Sequence, residues 1–321
     1  MKKILLVDGL NLFTRHYVAH PAMSENGAQI GGLVGFYYNL INIVEKFKPD
    51  QTLIVWEGGG SKRKRDLYKE YKKKSRPQRL NRYYDDIPDT LQNRNYQLKI
   101  LVDLLNHFPV KQIYVEDCEA DDVIGYLCRY KLKDDIKLIL SADHDYYQLL
   151  NKKTRIWSPT LKSLVDSKYA IERFGIHPNN FCLAKAIAGD KSDNIGGVPN
   201  VGFKILAKYF PKFSKEPDYY IETFLNDTKV LHQEKKRKTI SNILDNTDVI
   251  KRNYKLVLLD VQNLAHTQTK KINEIVESKV KNIDKMSALR LLLKQGIKTL
   301  NVDRGFLIFK IIKQNQGNSH E

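Results

Sequence analysis

The chain reads as an α/β fold, a mostly parallel sheet with helices on both faces, followed by a mainly helical region. Three observations lead there. Short apolar runs rich in Val, Ile and Leu (KKILLV, QTLIVW, IKLIL) alternate with amphipathic stretches. That is the pattern of strands buried on both faces and joined by crossover helices. Each run ends at or just before acids: Asp8, then Glu57, then Glu119, Asp121 and Asp122, then Asp143 and Asp145. Beyond about residue 160 the helical period takes over.

In order, the first strand is expected over 3–7, with a loop and helix through about 19. A glycine-punctuated segment at 27–35 leads into a helix ending near 47. A second strand covers 52–56 and is followed by a basic insertion to about 86. Residues 87–108 place apolar side chains at helical intervals, with Pro88 set to start the helix. The third strand, 112–115, leads into a helix near Glu119, and the fourth, 136–140, leads into DYYQLL. A fifth covers 154–158. YAIERFGI opens the helical half, in which LVLLD (256–260) is the candidate extended segment. The chain thus divides into 1–160 and 161–321, with no internal repeat and no low-complexity tract beyond the polar tail QNQGNSHE.

Charge narrows the function. The formal net charge is +17, yet the acids gather at strand ends, which points to a polyanion bound outside and processed in the middle. Residues 61–82 hold eleven Lys or Arg against two acids, more than half of that net charge. Leu67, Tyr68 and Tyr71 recur there at helical spacing, so the segment is expected to be helical in part and to project over the acidic edge. No apolar stretch approaches the ~20 residues that span a membrane, and the N-terminus enters a strand directly instead of a signal peptide. Cys118, Cys128 and Cys182 are scattered and show no paired spacing. They imply a reducing, cytoplasmic setting without disulfides or zinc.

An Asp after a strand is often only a helix cap. Four strand ends in succession, two of them with acids at i and i+2, outweigh that explanation. Like charges so close raise each other's pKa unless cations neutralise them, and all-oxygen ligands suit hard divalent ions, Mg²⁺ above all. In EADDVIGYL the spacing puts Glu119 and Asp122 on one face and turns Asp121 elsewhere. Asp143 and Asp145 straddle the next strand–helix turn. Two such groups on neighbouring strands suit a pair of metal ions and in-line attack of water on a phosphodiester. Neither a G-x-S-x-G elbow nor a Walker A sequence is present. In AIAGDKSDNIGGVPNVGFKIL (186–206) a helix ends, a glycine-rich turn follows, and a helix begins at Phe203. With Asp190 and Asp193 attached, one short segment supplies metal ligands and a backbone grip on phosphate.

LLVDGLN, EADDVIG, SADHDYYQL and GDKSDNIGGVPNVGFK resemble, in order from about residue 3 to 210, the motifs of the 5′ nuclease (flap endonuclease) family. That family includes the N-terminal domain of bacterial DNA polymerase I and free-standing bacteriophage 5′–3′ exonucleases. The resemblance implies a PIN-like core at 1–160, a helical arch at about 58–86, and a DNA-binding helix–three-turn–helix at about 186–210. By motif match, Asp8, Glu57, Glu119, Asp121 and Asp122 surround a first Mg²⁺, and Asp143, Asp145, Asp190 and Asp193 a second, with Mn²⁺ able to substitute. K⁺ would sit on carbonyls of the glycine-rich turn. Lys64 or Arg65 stands for the family's catalytic cation. Lys62, Arg63, Lys72, Lys73, Lys74, Gly196, Gly197, Gly202 and Lys204 would bind DNA, and Lys235, Lys236, Arg237 and Lys238 would guide the duplex. Tyr83 and Tyr84 fall at the arch foot.

The chain departs from the family where Glu57 replaces Asp, Gly196 replaces Pro and Asn200 replaces Gly, although Asn tolerates positive φ. The expected activity is cleavage near 5′ ends at flaps, nicks and gaps and of RNA primers annealed to DNA. The protein would be a monomer in the cytoplasm (a host's, if phage-encoded), with a polymerase or single-strand-binding protein as candidate partners. A non-catalytic junction-binding protein would need none of the acids, and all nine positions are acidic. A PIN-type single-strand ribonuclease would need neither the arch nor the glycine-rich turn.

Overall fold

The computed structural model describes residues 1–73, 91–215, 217–235, 237–280 and 283–317. Six strands form one sheet: β1 (Lys3–Asp8), β2 (Gln51–Trp56), β3 (Lys111–Tyr114), β4 (Ile136–Leu140), β5 (Thr154–Ser158) and β6 (Ser163–Val165). Their order is β3-β2-β1-β4-β5-β6. All neighbours are parallel except β5 and β6. The five parallel strands fall within a residue of the sequence expectation. β6, three residues long and on the sheet edge, was not anticipated.

Around β1 to β4 run α1 (Gly9–Ala19), α2 (Gly31–Phe47), α3 (Lys62–Leu67), α4 (Leu91–Leu105) and α5 (Ala120–Tyr126). After the sheet come α6 (Ser167–Phe174), α7 (Pro178–Ala188), α8 (Phe203–Tyr209), α9 (Lys212–Lys215) and α10 (Ile221–Glu234). The chain continues with α11 (Lys238–Asp245), α12 (Thr247–Val257), α13 (His266–Glu277), α14 (Lys285–Lys294) and α15 (Val302–Gly317). DYYQLL lies in a 3-10 turn, His144–Leu149. LVLLD is not a strand: Leu256 and Val257 close α12, and the chain then runs irregularly. The helix expected from 87 is described from Leu91 onward; Pro88, Lys74, Tyr83, Tyr84 and Lys236 lie outside the described residues.

Alternation along the strands splits the core into two layers, because successive side chains point to opposite faces. Ile4, Leu6, Leu53, Val55, Ile113 and Ile139 face a layer that includes Ile124 of α5, Phe181 of α7 and Ile272 of α13. Leu5, Val7, Ile54 and Leu140 face the other, built from α1, α2 and α4 and closed by α14 and α15. The sheet and the C-terminal helices therefore share both layers. The tie to α15 is aromatic: the Phe108 ring stacks on Phe306 at 4.3 Å and meets the Tyr37 and Phe309 rings at 5.8 and 5.9 Å.

The strand order reverses at β1, with β2 on one side and β4 on the other. In open parallel sheets the crevice beyond the carboxyl ends at such a reversal is where ligands bind. Asp8 ends β1, and Asp143 follows β4. If α15 belongs to the core, Phe306→Ala should cost about 3–5 kcal/mol by transfer and cavity effects, read by urea denaturation. A loss below about 1 kcal/mol, the range of surface substitutions, would mean that α15 merely rests on the surface.

Candidate functional site

Each acid is positioned by a strand end or a helix start. Asp8 caps α1, accepting from Asn11 N at 3.2 Å, and also accepts from Ser141 Oγ at 3.1 Å and the Tyr146 hydroxyl at 3.0 Å. The next residue must be glycine: a Cβ on Gly9 would lie 2.6 Å from the Trp56 ring. Burial pushes the Asp8 carboxyl up to about 7, and the charges of Asp143 and Asp121 add to the effect. Glu57, just past β2, accepts from Ala120 N at 3.2 Å. Burial and the neighbouring Asp121 push it up to about 7 as well.

Glu119 and Asp122 meet on one side of the α5 start, and the group they meet on is Lys64. Its Nζ lies 2.8 Å from Glu119 Oε2 and 2.8 Å from Asp122 Oδ2, and the side chain is 2% exposed. Glu119 also accepts from the Tyr71 hydroxyl at 2.8 Å and from Lys72 Nζ at 2.7 Å. Burial alone would raise the Glu119 pKa, but two ammonium groups more than offset it and hold it down at about 2. Asp122 is more deeply buried and has only the one cation, with Asp121 and Glu119 repelling it. Burial keeps its carboxyl up at about 6. A second hydrogen bond reaches Asp122 from Asn263 Nδ2 at 2.7 Å, from the loop after α12.

The second group forms where the turn after β4 meets the end of α7. Lys185 of α7 pairs with Asp145 and, at 2.7 Å, with Asp190. Burial opposes ionisation of Asp190, but Lys185 and Ser192 hold it down at about 2. Burial raises Asp193 to about 6, with Lys72 opposing at 3.7 Å. Ligand atoms of Glu119, Asp121 and Asp122 lie within 4.8 Å of one another, as do those of Asp145, Asp190 and Asp193. Asp8, Glu57, Asp121, Asp143 and Asp193 line one cleft of about 770 Å³. All-oxygen donors, several kept partly protonated by burial and mutual repulsion, fit hard divalent cations.

The basic segment is tied to this cleft. Lys62 and Arg63 of α3 are exposed, and Arg65 bonds Gly59 O at 3.2 Å. Lys64 turns inward to the acids and does not line the cleft; among the described residues, the cations that do are Lys72 and Arg15. Lys72 N donates to Asp193 O at 2.9 Å, and Asn194 Nδ2 donates to Glu70 O at 2.7 Å. Lys73 is exposed and pairs with Glu70.

The glycine-rich turn lies between α7 and α8 as expected. Asn200 takes φ 61°, so the substitution of Asn for Gly is accommodated. Asn253 of α12, fully buried, donates to Ala186 O at 2.9 Å and Gly196 O at 2.8 Å, pinning the turn to α7. A Cβ at Gly196 or Gly202 would meet nothing within 4 Å, whereas at Gly197 it would strike Ala188 at 2.2 Å. Gly196 and Gly202 thus leave backbone open, and Gly197 serves packing. Lys204 is exposed beside them. Sequence reasoning passed over Arg15, Tyr146, Lys185 and Asn263. Of these only Lys185 carried a signal, a lone charge within the apolar run FCLAKAIA.

Comparison with known proteins identifies the family. A family model for the 5′-3′ exonuclease N-terminal resolvase-like domain matches residues 3–175. The chain is 30% identical to DNA polymerase I of Bacillus subtilis over 221 residues, 66% of this chain and 23% of that protein. It therefore spans about a quarter of the polymerase. It is 31% identical over 220 residues to the 5′-3′ exonuclease of Buchnera aphidicola from Acyrthosiphon pisum, covering 68% of this chain and 73% of that one. Among solved structures, the bacteriophage T5 flap endonuclease, in a pseudo-enzyme-product complex with DNA and metal ions, superposes with a TM-score of 0.68. At 21% identity over 86% of this chain and 98% of that one, the likeness is one of fold. Among the described residues no helix is long and apolar enough to cross a membrane.

The raised carboxyls set a pH dependence. Asp8 and Glu57 move from ordinary values of 3.8 and 4.5 up to about 7, so the folded protein holds protons that the unfolded chain has lost. Their stabilising effect is present below about pH 4 and disappears as pH rises through 7. A divalent cation must displace those protons. The rise in Tm on adding Mg²⁺ should therefore be larger at pH 8 than at pH 6. Equal increments at the two pH values would show that these acids are ionised before metal arrives.

Proposed function

Since the chain belongs to the 5′–3′ exonuclease family, we propose that it is a metal-dependent, structure-specific 5′ nuclease. Its substrates would be DNA with 5′ flaps, nicks or gaps and RNA primers annealed to DNA, the products expected of replication and repair. The observation that carries this is the cleft of acids at the strand reversal, walled by Lys72 and Arg15. A site that only bound a polyanion would present cations there and no carboxylates.

Glu119, Asp121 and Asp122, with Asp8 and Glu57 beside them, would hold one divalent ion; Asp145, Asp190 and Asp193, with Asp143, would hold the other. Mg²⁺ is the ion such oxygen ligands favour at cellular availability, and Mn²⁺ can replace it. Bound there, the ions supply a water of lowered pKa and offset the phosphate charge. The chain's own groups do the rest. Lys72, held at the cleft mouth between Glu119 and Asp193, is placed to neutralise the scissile phosphate. Arg15, which reaches Thr160 and the Pro159 carbonyl, is placed against a neighbouring phosphate. Lys64 works at one remove, holding Glu119 and Asp122 in position.

End-labelled flap, nicked and RNA-primed duplexes, with Mg²⁺ or with EDTA, test this directly. Release of short 5′ products in Mg²⁺ alone is expected. Binding without cleavage in either Mg²⁺ or Mn²⁺ would leave a junction-binding protein, and equal cleavage of single-stranded RNA would leave a ribonuclease. Asp121→Asn and Asp143→Asn should each lower the single-turnover rate about 100-fold or more with duplex affinity nearly unchanged. Lys72→Ala should do likewise. Lys64→Ala should instead cost about 3–5 kcal/mol of stability in EDTA by leaving buried acids unpaired. A rate defect in Lys64→Ala at unchanged Tm, with Lys72→Ala fully active, would reverse the two roles.

The glycine-rich turn is proposed to grip the duplex backbone through its exposed amides. Gly202 has φ −123° and open space where a side chain would go, so Gly202→Val should fold normally. It should weaken binding to duplex-containing substrates about tenfold, by fencing off the backbone, and leave short single strands bound as before. Equal weakening on both would place the duplex elsewhere.

A further inference from the structure

A second cavity, of about 300 Å³, lies at the edge of the sheet opposite the acids, beside the N-terminal ends of β1, β4 and β5. Its floor is aliphatic, made by Leu5, Leu138 and Leu164, with Phe47 as its one aromatic wall. Its rim is cationic, carrying Lys152, Lys153 and Arg155. Strand register explains the arrangement. Leu138 pairs with Arg155, Leu140 with Trp157, and Trp157 with Leu164, which sets these side chains on one sheet face. On that face α2 reaches as far as Trp157: Phe47 meets its ring at 5.5 Å, and Lys46 Nζ stands 4.0 Å from the ring centre. There α2 ends, and the face toward the starts of β4 and β5 is left uncovered, with Leu164 39% exposed.

We propose that this cavity binds an acidic peptide segment of a partner protein that carries a bulky apolar side chain. Charge complementarity selects the occupant. Lys153 pairs at the surface with exposed Asp134, at 3.5 Å, and among the described residues no acid pairs with Lys152 or Arg155. Three cations around an apolar floor match carboxylates flanking an apolar anchor. A cavity of this size is at the lower end of ligand pockets, which suits one anchoring side chain. Single-stranded nucleic acid fits less well, because successive bases are held by stacking on aromatic faces, and this floor is aliphatic. The cavity also opens away from the catalytic cleft, so a partner seated in it would leave the cleft free.

Isothermal titration calorimetry on the full chain tests the proposal, with a synthetic acetylated hexapeptide of four aspartates followed by two phenylalanines. Saturable one-to-one binding is expected, weakened at least about tenfold when serines replace the phenylalanines. Lys152→Glu with Arg155→Glu, and separately Leu164→Asp, should each weaken it about tenfold at unchanged Tm and unchanged flap cleavage. Lys208→Glu, on a basic surface elsewhere, should change it less than twofold. Binding lost equally in Lys208→Glu, or insensitive to the phenylalanines, would overturn the proposal as plain polyanion attraction. It would equally be overturned if a thymidine hexanucleotide displaced the peptide and lost more affinity than the peptide in the rim variant.

Discussion

The acidic edge depends on how nine carboxylates are kept from driving one another apart. The chain answers with ammonium groups placed among them. Lys64 sits between Glu119 and Asp122, Lys72 between Glu119 and Asp193, and Lys185 between Asp145 and Asp190. The acids divide accordingly. Glu119, beside Lys64 and Lys72, and Asp190, beside Lys185 and Ser192, are held down at about 2, whereas Asp8 and Glu57, which face the cleft, are pushed up to about 7. The protein neutralises the rear of its acidic cluster itself. It leaves the front for cations that arrive with or before the substrate, and that imbalance is what makes the front a site.

Much of this was legible in the sequence because the sheet is covered on both faces. Strands such as ILLV and TLIV must then be apolar throughout, so their ends, and the acids placed there, stand out. The glycine-rich turn was legible for a different reason, since Gly196, Gly197 and Gly202 mark a backbone that approaches something closely. What could not be read was set by the third dimension. Nothing in the spacing from Glu57 tells which lysine turns inward: Lys64 does, and Lys72, past the turn at Tyr68–Lys73, lines the cleft. Asn263 comes to Asp122 across 141 residues of chain, from a region in which no pattern announced it. α14 and α15 look like ordinary amphipathic helices, and only packing shows that they close one face of the sheet.

The basic segment and the glycine-rich turn, distant in sequence, behave as one piece near the cleft. Lys72 N bonds Asp193 O, Asn194 bonds Glu70 O, and Asn253 fixes Gly196 to the end of α7. A phosphate seated against Lys72, as proposed, would be held by the same bonded network that carries Asp193. If Lys72 holds a phosphate as proposed, grip on the substrate and geometry of the acids would be coupled through these contacts.

Lys64 shows why such a network contains a buried charge at all. An ammonium 2% exposed loses most of its hydration, and the Coulomb attraction of two carboxylates does little more than restore it; buried ion pairs are poor sources of stability for that reason. An apolar side chain of similar size would pack as well, but Glu119 and Asp122 would then repel across the gap and turn toward the cleft. With Lys64 in place both are drawn to the rear of α5, and the helical offset leaves Asp121 as the member of the trio that lines the cleft. The charge is retained for direction more than for energy. It decides which of the three acids lines the cleft.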